Sequence, residues 1–305
     1  MTEQRRGFWF GFAAYLTWGI FPMYWPLLKP ASALEILGHR IVWSLLFVTV
    51  LVVALSRAAQ LRSVLADRRR LRFIGVGAVV IAVNWGMYIW GVNNDHVVET
   101  SLGYFINPLV TVFLGVLVLG ERLRRVQWFA IAVATLAVLE LTADYGRPPW
   151  IALVLAFSFG TYGLMKKQAG VGTSEGLAIE TAILAPVALA YLAVEQVRGV
   201  AAFGHEGWAN AALLVGTGVV TAIPLLLFGA AATRVPMTTL GMLQYIAPTM
   251  QFVIGLVVFD EAMTAARWVG FSLVWAALTI LTVESWVARR RQAPATPVET
   301  EPAAI

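Results

Sequence analysis

Polar residues interrupt this chain between about ten apolar stretches, and the interruptions recur at a spacing of 140 residues. The charge-free runs 7–28, 73–94, 100–120, 207–233 and 235–259 are each long enough to cross a hydrocarbon core of ~30 Å at ~1.5 Å per residue. The runs 41–56, 126–139, 148–165, 181–194 and 268–283 are shorter, and reach spanning length by tilting or by snorkelling of a flanking charge. Together they predict ten spans, at about 8–28, 32–55, 72–92, 98–119, 126–143, 149–166, 174–195, 208–232, 237–259 and 266–287. The connecting loops are short, the longest being 56–71, so none can hold a soluble catalytic domain.

The recurrence is specific. Pro108, Gly115, Glu121 and Trp128 are followed 140 residues later by Pro248, Gly255, Glu261 and Trp268. Two copies of a membrane unit with an odd number of spans must lie in opposite orientations. The expected fold is therefore an all-α polytopic membrane protein, ten transmembrane helices arranged as two inverted five-helix repeats. The first repeat covers 1–143 and the second 144–291, and the Pro- and Glu-containing stretch 292–305 is expected to be a disordered cytoplasmic tail.

Composition agrees with membrane residence, since 59% of residues are hydrophobic and 13% charged. The net charge of +5 brings no nucleic acid into view, because the basic residues sit in short loops on one side of the apolar runs. With the N-terminus inside, 17 Lys and Arg residues fall in cytoplasmic loops and 4 in the opposite ones, with Arg40 inside a span. That bias places both termini in the cytoplasm. The two copies of the Glu loop repeat the point: Glu121 precedes Arg122, Arg124 and Arg125, whereas Glu261 precedes only apolar and hydroxyl residues up to Ala266. Arg5 and Arg6 before the first run resemble an export signal, but the run is too long for a cleaved leader and is expected to stay as the first helix. The absence of cysteine removes disulfides and thiolate chemistry. His39, His96 and His205 share no metal-ligand spacing, and no nucleophile elbow or phosphate loop is present. Neither an enzyme nor a cofactor is expected.

Polar residues inside the spans are the candidate site. Arg40 is the most expensive of them, a mid-span arginine costing ~2.5–3.5 kcal/mol on insertion scales. With Glu35 and His39 it forms a polar patch, read either as a solute contact or as a packed, snorkelling charge. Its counterpart 140 residues on is Glu180, suited to a basic partner, a proton or a cationic solute. In the fourth span Tyr104 and Pro108 share a face next to Asn107. In the ninth, Gln244, Pro248 and Gln251 do so at i, i+4 and i+7, with Tyr245 beside them. Asn84 and Tyr88 on the third span, and Thr221 and Pro224 on the eighth, make weaker stripes. Pro108, Pro224 and Pro248 are expected to bend their helices where they line a cavity. Glu121 and Glu261 are expected to be structural, each satisfying free N–H groups at the start of its helix.

Several motifs carry a resemblance. They are Ala14-Tyr15-Leu16-Thr17-Trp18-Gly19-Ile20-Phe21-Pro22, His39-Arg40, Glu99-Thr100-Ser101-Leu102-Gly103-Tyr104-Phe105-Ile106-Asn107-Pro108, Glu121-Arg122-Leu123, Thr221-Ala222-Ile223-Pro224 and Gln244-Tyr245-Ile246-Ala247-Pro248. Over nearly its whole length the chain resembles the EamA-type carriers of the drug/metabolite transporter superfamily. The resemblance implies a ten-helix inner-membrane protein with a solute cavity between its repeats, and superfamily members move metabolites, amino acids or drugs, commonly outward. The expected function is secondary transport of a small organic metabolite or drug by alternating access, as an exporter. A channel-like or lipid-handling pore is the alternative. The partners expected are the small-molecule solute and the lipid bilayer, with room for a homodimer.

Overall fold

The computed structural model describes residues 2–292 apart from 121, 233, 236–238 and 240–241. The expectations for Glu121 and for the tail 293–305 lie outside the described residues. The helices that can be bounded among the described residues are α1 (Glu3–Gly19), α2 (Phe21–Tyr24), α3 (Ala33–Ala54), α4 (Ala58–Leu65), α5 (Arg68–Asn93), α6 (Val97–Leu119), α7 (Arg125–Tyr145), α8 (Trp150–Ala169), α9 (Thr173–Val197), α10 (Gly207–Ala232), α11 (Ile246–Val257) and α12 (Ala265–Gln292). Seven of these (α3, α5, α6, α7, α9, α10 and α12) are long and apolar enough to cross a membrane. Val53, Leu117, Val187 and Val257 lie more than half exposed on the outside of the bundle. A bundle that presents aliphatic side chains on its exterior has lipid as its solvent. The chain is a polytopic α-helical membrane protein.

Local chemistry sets the ends. Ser32 Oγ accepts the Glu35 N–H at 3.1 Å to start α3, and Asp67 Oδ1 accepts the N–H groups of Arg69 and Arg70 at 2.9 and 3.1 Å to start α5. Gly120, Gly146 and Gly170 close α6, α7 and α8 with φ of 66°, 62° and 59°, a left-handed turn that a side chain resists.

Three boundaries differ from the sequence reading. The first span is not one helix: α1 stops at Gly19, and α2 and a 3-10 turn (Trp25–Leu28) complete the run. Pro22 and Pro26 sit in the first turns of these two segments, where their missing N–H groups leave no bond unmade. The long loop 56–71 contains α4. The ninth span is interrupted: Met242 and Leu243 are helical, Gln244 and Tyr245 form a turn, and α11 starts at Ile246. Pro248 therefore stands in the first turn of α11 and not at an interior bend, whereas Pro108 and Pro224 are interior, as is Pro186 in α9.

The helices of the first half find their main partners in the second. α1 packs on α10 and α11, α3 on α9 and α10, α5 on α8 and α9, α6 on α8 and α11, and α7 on α12. Exchanging α1, α3, α5, α6 and α7 with α8, α9, α10, α11 and α12 maps this set of pairings onto itself. Small residues allow the closest approaches. A Cβ on Gly218 of α10 would lie 2.5 Å from the Trp43 carbonyl carbon of α3, so any side chain there separates the helices.

Candidate functional site

Arg40 lies on α3 and is 4% exposed. Its Nε donates to Thr221 Oγ1 of α10 at 2.8 Å. The guanidinium carbon stands 4.1 Å from the Trp85 ring centroid on α5, 5.2 Å from Trp25 and 5.9 Å from Phe21. Cation–π attraction of this kind partly compensates a charge taken out of water. Among the described residues, no carboxylate comes within ion-pairing distance of it.

One turn beyond Trp85, Tyr88 meets Tyr104 of α6 edge to face at 5.6 Å. Tyr104 donates its O–H to Asn84 Oδ1 at 3.2 Å, and Asn84 Nδ2 donates to Leu155 O and Ser158 Oγ of α8, both at 3.0 Å. Thus Arg40, Asn84, Tyr88, Tyr104 and Thr221, read from four different spans, converge on one cluster. The cluster is incompletely satisfied: the Tyr88 hydroxyl and Trp25 Nε1 are buried without a hydrogen-bond partner. Asn107 Oδ1, farther along α6, is likewise unpartnered.

The remaining candidates lie elsewhere. Glu180 of α9 accepts from Lys166 Nζ at 2.8 Å and from the Tyr162 hydroxyl at 3.1 Å, so Arg40 and Glu180 occupy different clusters and do not pair. Gln251 Nε2 donates to Trp18 O of α1 at 3.0 Å, while its Oε1 is buried without a partner. Gln244 and Tyr245 are half-buried in the turn before α11, so the single helical face expected for Gln244, Pro248 and Gln251 does not form. A face needs one continuous helix, and this one starts two residues after Gln244.

Glu261 corrects its expectation too. It precedes α12 by four residues and bonds another helix: its carboxylate accepts the N–H of Val97 and, at 3.0 Å, that of Val98, both at the start of α6. Burial pushes its pKa up to about 7, against the downward pull of the two N–H donors.

Three further carboxylates work at the same end of the bundle. Glu35, 1% exposed, accepts the N–H groups of Ala202 and Phe203 on one oxygen at 2.8 and 3.0 Å. Glu99 accepts both Arg147 and the Ile151 N–H at the start of α8, and holds the Arg147 guanidinium above its ordinary pKa. Asp144 binds Arg267 and Thr264. At the other end, Glu175 pairs with Arg57 at 3.2 Å. These roles were not assigned from sequence, although one signal was present: Glu35 and Glu175 are separated by the same 140 residues as Arg40 and Glu180. Among the described residues, no three His, Asp or Glu side chains gather as a metal site.

Residues 5–142 match the EamA-like transporter family. Protein RarD of Streptomyces exfoliatus is 56% identical over 95% of this chain and 92% of its own length. Protein RarD of Escherichia coli (strain K12) is 41% identical over 95% of this chain and 98% of its own length. A solved crystal structure aligns with a TM-score of 0.58 at 16% identity, covering 92% of this chain and 98% of that one, a likeness of fold alone. The chain belongs to the EamA-like transporter family, among its RarD-type members, and is a membrane transporter of the drug/metabolite superfamily.

Proposed function

We propose that the chain is a secondary carrier that exports a small organic solute across the inner membrane by alternating access. In this reading ten helices cross the bilayer as two inverted repeats, and both termini are cytoplasmic. The observation that carries it is the convergence of Arg40, Asn84, Tyr88, Tyr104 and Thr221, with unpaired donors, in the interior of a bundle whose halves pack against each other. Polar groups buried at membrane depth are costly unless they serve a solute path. The self-mapping set of helix pairings supports the inverted repeat, since two-fold folds place the site between their halves. Arg40, Thr221, Tyr88, Tyr104 and Asn84 form the binding centre. Glu180 with Lys166, Asn107, and Gln244 with Tyr245 and Gln251 line the path away from it. Pro108 and Pro224 supply the bends and Glu261 an outer tie.

Reconstitution tests the proposal. Proteoliposomes are loaded with cell extract solutes, and efflux is followed by mass spectrometry against empty vesicles. The expected outcome is saturable efflux of a narrow set of solutes, accelerated by the same solute outside. Unsaturable flux of many solutes would indicate a pore and refute the carrier.

A further inference from the structure

We infer that the Arg40 cluster is a site for the carboxylate of a flat organic anion; this rests on the carrier reading above and names its substrate class. A guanidinium offers five N–H donors, and here only Nε has a hydrogen-bond acceptor among the described residues, Thr221 Oγ1. Two more donors, Trp25 Nε1 and the Tyr88 hydroxyl, are buried beside it without acceptors. The Trp25 ring centroid is 5.2 Å from the guanidinium carbon, and Tyr88 lies one turn beyond Trp85 on α5, packed in one cluster with Trp25 and Phe21. A buried cluster rich in donors and poor in acceptors is completed by a group that only accepts. An ionised carboxylate is such a group, and its two oxygens match the guanidinium fork.

The surroundings narrow the class further. Trp85, Trp25 and Phe21 lie around the charge, and Tyr88 and Tyr104 adjoin them, so the body of the ligand meets ring faces and edges. With a single positive charge in a nearly dry site, a monoanion is neutralised whereas a phosphate dianion keeps a buried excess charge. Chloride lacks the paired oxygens that engage a fork. Glu180, the opposite charge at the equivalent position, is already held by Lys166 and Tyr162 and does not compete for Arg40.

The test uses the full chain in lipid nanodiscs, with radiolabelled benzoate as probe. Saturable binding is expected, displaced by unlabelled benzoate and not by benzamide, chloride or inorganic phosphate. Arg40→Gln should weaken binding at least about tenfold, the effect of losing a charge-assisted fork. Tyr88→Phe keeps the shape and removes one donor, so it reports on the site even if Arg40→Gln does not fold, and it should weaken binding by roughly three- to tenfold. Equal competition by benzamide, by chloride or by phosphate overturns the inference, as does full affinity in Tyr88→Phe. Failure of the two readings is separable. Saturable efflux of solutes that is insensitive to these substitutions removes the carboxylate site and leaves the carrier. Donor-dependent benzoate binding with only unsaturable flux removes the carrier and leaves the site.

Discussion

Replacing Glu35 by alanine takes one oxygen away from two backbone donors. In the folded chain that oxygen holds the Ala202 N–H at 2.8 Å and the Phe203 N–H at 3.0 Å, across 167 and 168 residues of sequence. Each N–H left without a partner in a buried place costs about 1–3 kcal/mol, with Phe203 toward the lower end because it is only part-buried. Glu35→Ala should therefore destabilise by about 2–5 kcal/mol. Glu35→Gln keeps a carbonyl oxygen at the same position and loses only the charge. Because charge-assisted bonds are roughly twice as strong as neutral ones, it should lose about 1–2 kcal/mol. Equilibrium unfolding of the purified protein in mixed micelles, followed by tryptophan fluorescence, measures both. Limited proteolysis of segment 198–206 should rise in the alanine variant ahead of global unfolding, since this tether anchors that loop. Equal effects of the two substitutions, or changes below about 0.5 kcal/mol in both, would refute the accounting.

Three other outcomes are expected. Asn94→Cys and Ala262→Cys, both exposed on loops, should label from outside the cell with an impermeant thiol reagent, while a reporter fused after Ile305 reads inside; labelling only from the cytoplasm contradicts the orientation. Glu261 keeps its proton in the folded chain up to about pH 7, against 4.5 ordinarily, so its contribution to stability is complete below about pH 4.5 and is lost as pH rises through about 7. Thermal unfolding of Glu261→Gln should lack that decline, and an identical pH profile in both proteins argues against it. Gln251→Leu gives up the bond to Trp18 O but also removes an orphaned oxygen, so its stability should change by less than about 1 kcal/mol. A shift in transport affinity would then report a lining role, and unchanged transport would deny one.

Much of the fold could be read along the chain because lipid imposes a simple rule on sequence. The expected spans 32–55, 149–166 and 174–195 fall within about three residues of α3, α8 and α9. Their apolar runs end at charges or caps that cannot follow the helix into hydrocarbon. The break after Gly19 was hidden because Pro22 and Pro26 interrupt an otherwise uniform apolar run without a polar marker. For the site, an intramembrane polar residue announces itself by composition, so Arg40, Asn84, Tyr88, Tyr104 and Thr221 were all visible. Partnership is a tertiary property, and spacing along one helix carries no record of it. Glu35 and Glu261 each bond backbone more than 160 residues away, and Gln244 shares no helix with Gln251 despite the i, i+7 interval. Where the 140-residue repeat links two charges, as with Glu35 and Glu175, it points to paired positions but not to what each one binds.

The pairing of each first-half helix with the second half has a consequence for how the protein is made. A ribosome delivers α1 to the bilayer long before α10 and α11, the surfaces on which it rests, have been synthesised. α3 enters the membrane carrying Glu35 and Arg40, while Ala202 and Thr221, which bind them, are still more than 160 residues from being translated. During that interval Glu35 and Arg40 lack their final hydrogen-bond partners, a state that an insertase or the translocon itself must shelter. Assembly is therefore late and concerted. A nascent chain halted after α7 is left with polar helices facing lipid, a ready substrate for membrane quality-control proteases.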